Sequence, residues 1–226
     1  MQKKDKKIER VVVTGAAGAV GSYLHGALVE AGYRVRGVDI RSPVDSASWE
    51  EHGSEFLVGD LTDPGFVTRS VDGMDAVIHA AALLDIALDY EALAPLNVVA
   101  VRDLYRAAAK AGAVRFVHFS SGSVYAPSDG SPVEEDHPLM AKSAYERTKV
   151  ESEEILKELY FDLGLDWIVL RPGLIYGPGG RFLVSGIAAV PPIMRWLLGE
   201  GAPAVKGGPR TTLVPAADVA RAAGVL

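Results

Sequence analysis

Short apolar runs alternate with longer stretches of helical periodicity over most of the chain. Residues 10–14 (Arg-Val-Val-Val-Thr) predict a strand, 20–31 a helix stopped at Gly32, and 34–39 a second strand. Residues 55–59 and 76–80 predict the third and fourth strands. Residues 90–111 carry apolar positions at helical spacing up to Gly112, and 115–120 form a fifth strand. A long helix over 143–163 ends at Gly164, and a sixth strand follows at 167–170. The strand runs are rich in Val, Ile and Phe without polar alternation, the signature of a sheet covered on both faces. Strand and helix in turn predict parallel βαβ units, hence an α/β fold with a doubly wound parallel sheet.

The pattern changes after residue 176. Residues 177–226 are rich in Gly and Pro, including Pro178, Pro191, Pro192, Pro203, Pro209 and Pro215. They read as a short substrate lobe packed on the main domain of residues 1–176. A short helix is expected over 193–198, and another opens with Asp218 as N-cap. That last helical pattern runs out at Leu226, and both a truncated lobe and a natural end are open readings.

With 226 residues the chain is long enough for one α/β domain with a proper core. Its net charge of -6 repels nucleic acid and anionic membranes, so neither is expected as a partner. Cysteine is absent, which excludes disulfides and thiolate metal sites, and no metal is expected. The lysine-rich start is followed only by Val11-Val12-Val13, too short for a signal peptide or a membrane span. The expectation is a cytoplasmic protein with a solvated basic tail.

The candidate chemistry begins at Gly15-Ala16-Ala17-Gly18-Ala19-Val20-Gly21, between the first strand and the first helix. Gly15 suits a tight turn, Gly18 a close approach of backbone to a pyrophosphate, and Gly21 close packing of helix on strand. The helix N-terminus offers unpaired N–H groups to the phosphates. The alternative is a purely structural glycine turn. A downstream acid, Asp39, stands at the end of the second strand. A carboxylate there accepts both ribose hydroxyls and repels a 2′-phosphate, which predicts NAD over NADP. Ile40 and Arg41 adjoin the same site, and Arg41 softens that preference. Asp60 and Leu61 end the third strand, where a carboxylate can meet the adenine amino group. Ala80, Ala81 and Ala82 end the fourth, and their small side chains let a cofactor lie against backbone. His79, just before them, reads as a strand-packing histidine rather than a catalyst.

Tyr145 and Lys149 are spaced four apart on a predicted helix and share one face. A nearby ammonium, together with a positive nicotinamide ring, lowers a phenol's pKa, so Tyr145 can act as a general base at a reacting alcohol. Ser120-Ser121-Gly122-Ser123-Val124-Tyr125 ends the fifth strand. A hydroxyl there can hydrogen-bond the reacting oxygen; Ser121 is the first candidate and Ser123 the second. The alternatives are an exposed helix face and a serine-rich turn.

With these motifs in place, the chain resembles extended short-chain dehydrogenase/reductases of the NAD-dependent epimerase/dehydratase group, over about residues 11–220. The resemblance rests on Thr14 to Gly21, Ser120 to Tyr125, Tyr145 with Lys149, Arg171-Pro172-Gly173 and Tyr176-Gly177-Pro178, all in family order. It implies a Rossmann fold, with Ser121, Tyr145 and Lys149 as catalytic triad. It further implies that Asn97 supports the active site, and that Pro172 and Gly173 pass near the nicotinamide. A helix cap or buried anchor is the alternative for Asn97. The helices at 90–111 and 143–163 are implied to pair across a two-fold axis, giving a homodimer through a four-helix bundle; the alternative is a monomer.

Departures from the family narrow the reaction. Gly122 and Ser123 stand where sugar-nucleotide 4,6-dehydratases carry acids, which ranks dehydration low. Leu174 stands where many nucleotide-sugar epimerases carry an asparagine. Residues 170–178 are similar to the 3β-hydroxysteroid-dehydrogenase-like branch. Leu174, Tyr176 and Ser123 are the candidate substrate contacts. An apolar segment at Phe182, Leu183, Val184, Ile187, Ile193, Met194, Trp196 and Leu197 reads as a lid over a hydrophobic alcohol or as ordinary core packing. The first expectation is an NAD-dependent oxidoreductase of a secondary alcohol or ketone. The second is a nucleotide-sugar epimerase that retains NAD, and the third an NAD-sensing binding protein.

Overall fold

The computed structural model describes residues 6–85, 87–129, 131–176 and 213–224. Six parallel strands form one sheet: β1 (Arg10–Thr14), β2 (Arg34–Asp39), β3 (Glu55–Val58), β4 (Ala76–His79), β5 (Arg115–Phe119) and β6 (Asp166–Leu170). Their order is β3-β2-β1-β4-β5-β6. It reverses between β1 and β4, which opens a crevice at their carboxyl ends. A parallel sheet needs cover on both faces, and alternate residues supply it. Val11, Val13, Ala76, Ile78, Val117 and Phe119 pack with Leu24 and Leu28 of helix α1 (Ala19–Glu30). Val12, Val38, Val77 and Phe116 pack on the opposite face. There they meet α3 (Pro64–Val71), α5 (Ala100–Ala111) and α6 (Ala144–Leu163), through Phe66, Leu104, Tyr105 and Leu156 among others.

Two short elements were not foreseen as helices: α2 (Ser46–Glu51) and α3. Asp45 caps α2 by accepting from the Ser48 N–H, and Asp63 caps α3 by accepting from the Gly65 N–H. Only Trp49 of α2 is buried, too little apolar periodicity to read. The expected helix over 90–111 is in fact three pieces. These are α4 (Tyr90–Ala94), a widened π-type turn (Pro95–Val99) and α5. Pro95 has no N–H to give to the preceding turn, so the hydrogen-bond ladder re-registers there. Asn97 lies inside that turn, not at a helix N-cap. Helix α6 starts as predicted, with Ser143 and Glu146 forming a capping box.

A two-stranded sheet joins β7 (Leu174–Tyr176) to β8 (Leu213–Pro215), followed by α7 (Ala216–Ala223). Pro215 takes the N-cap position that was expected of Asp218. Asp218 instead sits in the first turn of α7 and pairs with Arg221. Val219, Ala220 and Ala223 are buried in the same cluster as Leu24 and Leu28, which seats α7 on α1. The helix expected at 193–198 and the apolar lid segment lie outside the described residues. No described helix is long and apolar enough to cross a membrane.

The amino-terminal edge is tied by Asp75. It is 3% exposed, accepts from the N–H groups of Glu9 (3.1 Å) and Arg10 (2.8 Å), and meets Lys6 Nζ at 2.8 Å. Burial alone would raise its pKa, but the Lys6 ammonium and the two N–H groups outweigh it and hold the group at about 2. A pKa held below its unfolded value stabilises the fold above the unfolded value, and that gain is lost as pH falls through the folded one. Asp75→Asn is therefore expected to cost on the order of 2 kcal/mol at neutral pH. In thermal melts, the gap to the unsubstituted protein should close as the pH approaches 2.

Candidate active site

The crevice is built first by the turn after β1. Gly15 has φ +71, and a Cβ there would stand 2.7 Å from the Ala81 nitrogen. Only glycine fits both the backbone conformation and that approach. A Cβ on Gly21 would overlap the Gly15 carbonyl oxygen and stand 2.6 Å from Ala16 Cα, so helix and turn touch through backbone. Gly18 is the N-cap of α1 and brings no side-chain acceptor. The first N–H groups of the helix, at Ala19 and Val20 beside it, thus have no side-chain cap competing for them.

Asp39 ends β2 at 9% exposure. One carboxylate oxygen accepts the Ala17 N–H at 3.1 Å, and the other accepts the Arg41 N–H at 3.0 Å. Arg41 Nε stands 3.7 Å away. The side chain is thereby aimed at the glycine turn, and a carboxylate retains acceptor capacity beyond those two bonds. Ile40 beside it is 64% exposed, an apolar surface at the rim. Asp60 is exposed at the end of β3 and accepts the Thr62 N–H at 2.8 Å. Leu61 instead turns its side chain into the core. Ala80 and Ala81 are joined to the end of β1: the Ala80 N–H donates to the Thr14 carbonyl and the Ala81 N–H to Thr14 Oγ1. Ala82 is exposed.

The second half of the crevice comes from β5, α6 and the segment after β6. Ser121 Oγ lies 2.9 Å from Ser123 Oγ and accepts the Ser123 N–H at 3.2 Å. The Gly122 N–H donates to the Pro172 carbonyl at 2.8 Å, which brings Pro172 and Gly173 against the serine turn. Lys149 is 2% exposed. Its Nζ donates to the Phe119 carbonyl at 2.7 Å and lies 5.7 Å from the Tyr145 ring centroid. Burial lowers the Lys149 pKa to about 8, against a smaller raising effect of Glu153. Burial pushes the half-buried Tyr145 phenol up to about 12. The expected lowering rests on the ammonium together with the positive nicotinamide ring; the chain by itself, through burial, sets the phenol above its ordinary value. Loss of hydration outweighs a cation that is itself bonded to a carbonyl.

Asn97 is 1% exposed. Its Oδ1 accepts the Leu83 N–H at 2.8 Å, and its amide donates to the Leu83 carbonyl at 3.0 Å and to Thr148 Oγ1 at 3.2 Å. It clamps the segment after β4 to the turn of α6 that carries Lys149. Leu174 is half-buried in β7 and Tyr176 is 41% exposed at its end.

The sequence reading missed two supports. Arg171 makes a bidentate pair with Glu153 of α6, with Nη2 at 2.6 Å and Nε at 3.0 Å, and its Nη1 donates to Tyr125 Oη at 2.9 Å. His118 of β5 lies 2.9 Å from Ser152 Oγ of α6. His79 is buried, as its reading as a packing residue requires, with Nδ1 2.7 Å from Thr14 Oγ1. Burial, with a smaller effect from the Lys149 charge, lowers its pKa to about 3.

A doubly wound sheet whose strand order reverses beside a glycine turn and a strand-end acid has the architecture that binds dinucleotides. Residues 11–224 match the model of the NAD dependent epimerase/dehydratase family, and the chain belongs to that family. It is 36% identical over 172 residues to sterol demethylase protein B of Methylococcus capsulatus, which covers 74% of this chain and 52% of that protein. It is 32% identical over 185 residues to a 3 beta-hydroxysteroid dehydrogenase/Delta 5-->4-isomerase of Mycobacterium tuberculosis, covering 77% of this chain and 49% of the relative. The chain thus spans about half the length of these curated relatives. Among solved structures, a UDP-glucose 4-epimerase of Thermus thermophilus in complex with NAD superposes with TM-score 0.74 at 27% identity. That match covers 94% of this chain and 72% of the other.

Proposed function

We propose that the protein binds NAD across the carboxyl ends of β1, β2 and β4 and transfers a hydride to or from a secondary alcohol or ketone carbon. The observation that carries this reading is the convergence at β5. The buried Lys149 ammonium lies 5.7 Å from the Tyr145 ring centroid and is bonded to the carbonyl of Phe119, which stands two residues before Ser121 in the chain. The glycine cradle fits the cofactor, since a side chain at Gly15 would collide with Ala81 and no side chain competes for the N-terminus of α1. Asp39 supports NAD over NADP, because a buried carboxylate there repels a 2′-phosphate.

In this reading NAD supplies the hydride acceptor at its nicotinamide ring. Tyr145 takes the alcohol proton, or returns it to the ketone oxygen in reverse. Lys149 contributes the positive charge that stabilises the phenolate, and Ser121 donates a hydrogen bond to the reacting oxygen. Ser123 holds the Ser121 hydroxyl in place. Leu174 and Tyr176 border the substrate side. The two positions directly after Ser121 are Gly122 and Ser123 rather than acids, which ranks elimination of water from a sugar low.

Purified protein offered NAD or NADP with a panel of secondary alcohols should form NADH in net amounts and prefer NAD. The likeness to NAD-bound nucleotide-sugar epimerases favours a second reading, in which the oxidised intermediate is re-reduced on the same enzyme. Turnover of a nucleotide sugar with no net NADH would establish that reading over the first.

A further inference from the structure

The turn of α6 that carries Lys149 is fixed by three bonds to neighbouring strands or their ends. Lys149 reaches the Phe119 carbonyl, Glu153 holds Arg171, and Ser152 meets His118. The last bond has a definite direction. Ser152 Oγ donates its single hydrogen to the Lys149 carbonyl at 2.8 Å, so it can only accept from His118. His118 Nε2 must therefore carry the proton, and Nδ1 is left bare. This agrees with the surroundings, where Nδ1 is buried without a partner. A bare acceptor in that position is tolerable, whereas an imidazolium would bury an unpaired N–H and a second cation beside Lys149.

The ring has no freedom to change its role. It is fully buried, and it stacks on His79 of β4 at 5.5 Å between centroids and 14° between planes. The charged and titratable groups that bear on it are Lys149 from α6 and His79 from β4. Burial first, then these two, hold its pKa well below the ordinary histidine value.

We propose that His118 is a positioning residue for the reaction: as a neutral Nε2–H donor to Ser152, it sets the height of Lys149 over the end of β5. His79 is the wall behind it and ties to Thr14, the residue that leads into the glycine turn. The inference rests on the reading of Lys149 given above, but its test needs no substrate.

Two spectroscopic measurements on the full chain decide it. In 15N spectra of imidazole-labelled protein, the resonances lost in His118→Phe should show a protonated Nε2 and a bare Nδ1. They should not titrate between mildly basic and mildly acidic pH. In lysine side-chain spectra, the signal lost in Lys149→Arg should titrate near pH 8. Its midpoint should rise toward the free-lysine value in His118→Phe and in Ser152→Ala, as the ammonium drifts toward water. His118→Gln, whose amide can donate from the same place, should restore the original midpoint. Should His118→Phe fail to fold, Ser152→Ala removes the same bond and is read the same way. A proton on Nδ1, or an unmoved Lys149 midpoint in a folded variant, overturns the proposal. Either result is obtained whether or not the protein turns out to reduce NAD.

Discussion

Tyr145→Phe is expected to lower kcat by about 10²- to 10⁴-fold, the range that a positioned general acid or base contributes, while NADH affinity stays unchanged. The substitution removes only the hydroxyl. The ring remains, so the packing around Lys149 Nζ, 5.7 Å from its centroid, is kept. The glycine cradle and Asp39 lie on the other side of the crevice and do not depend on it. Because burial sets the phenol at about 12, it enters the reaction protonated, ready to donate to a ketone oxygen. The Lys149 charge that supports the resulting phenolate is lost as pH rises past about 8. In the ketone-reducing direction the rate should therefore be level at neutral pH and fall above that point. In Tyr145→Phe this limb should vanish with the activity it belongs to. Steady-state kinetics over pH, with calorimetry of NADH binding alongside, separates the outcomes. An unchanged kcat in Tyr145→Phe would mean that another group moves the proton.

The contrast between what the sequence carried and what it did not follows from distance along the chain. The strands were legible because three or four consecutive apolar residues, as at Val11-Val12-Val13, have few other uses in a soluble chain. The glycine turn was legible because its three constraints fall within seven residues. The break at Pro95 was hidden because the apolar positions on both sides keep helical spacing, so periodicity ran straight across the proline. The supports of Lys149 were hidden for another reason. Glu153 and Arg171 are separated by 18 residues, and His118 and Ser152 by 34, so only the docking of α6 on β5 and β6 reveals them. The pKa of Tyr145 shares that limitation. Its neighbour at i+4 and the nicotinamide ring argued for a lowered value, whereas burial, which no local pattern encodes, raises it in the chain itself.

Gly21→Ala should do the greatest damage to the cofactor site and to the fold together, and Gly26→Ala in the same helix should do none. The two glycines differ only in what lies beside them. A Cβ at position 21 meets the Gly15 carbonyl oxygen and Ala16 Cα, both backbone, so no flexible side chain can move aside. Either α1 backs away from β1 or the turn opens, and each displaces the N–H groups that would face the phosphates. Forced overpacking costs typically 1–3 kcal/mol, and each kcal/mol lowers Tm by about 2–4 °C in a domain of this size. A fall in Tm of roughly 2–12 °C is expected on that basis, with NADH binding lost in calorimetry. Position 26 has nothing within 4 Å of a new Cβ. Alanine there relieves the entropic penalty of a mid-helix glycine, worth about 0.5–1 kcal/mol, so Tm should rise slightly and NADH binding should stay. If both variants bound NADH equally well, the phosphates would not sit on the turn that Gly21 allows to close.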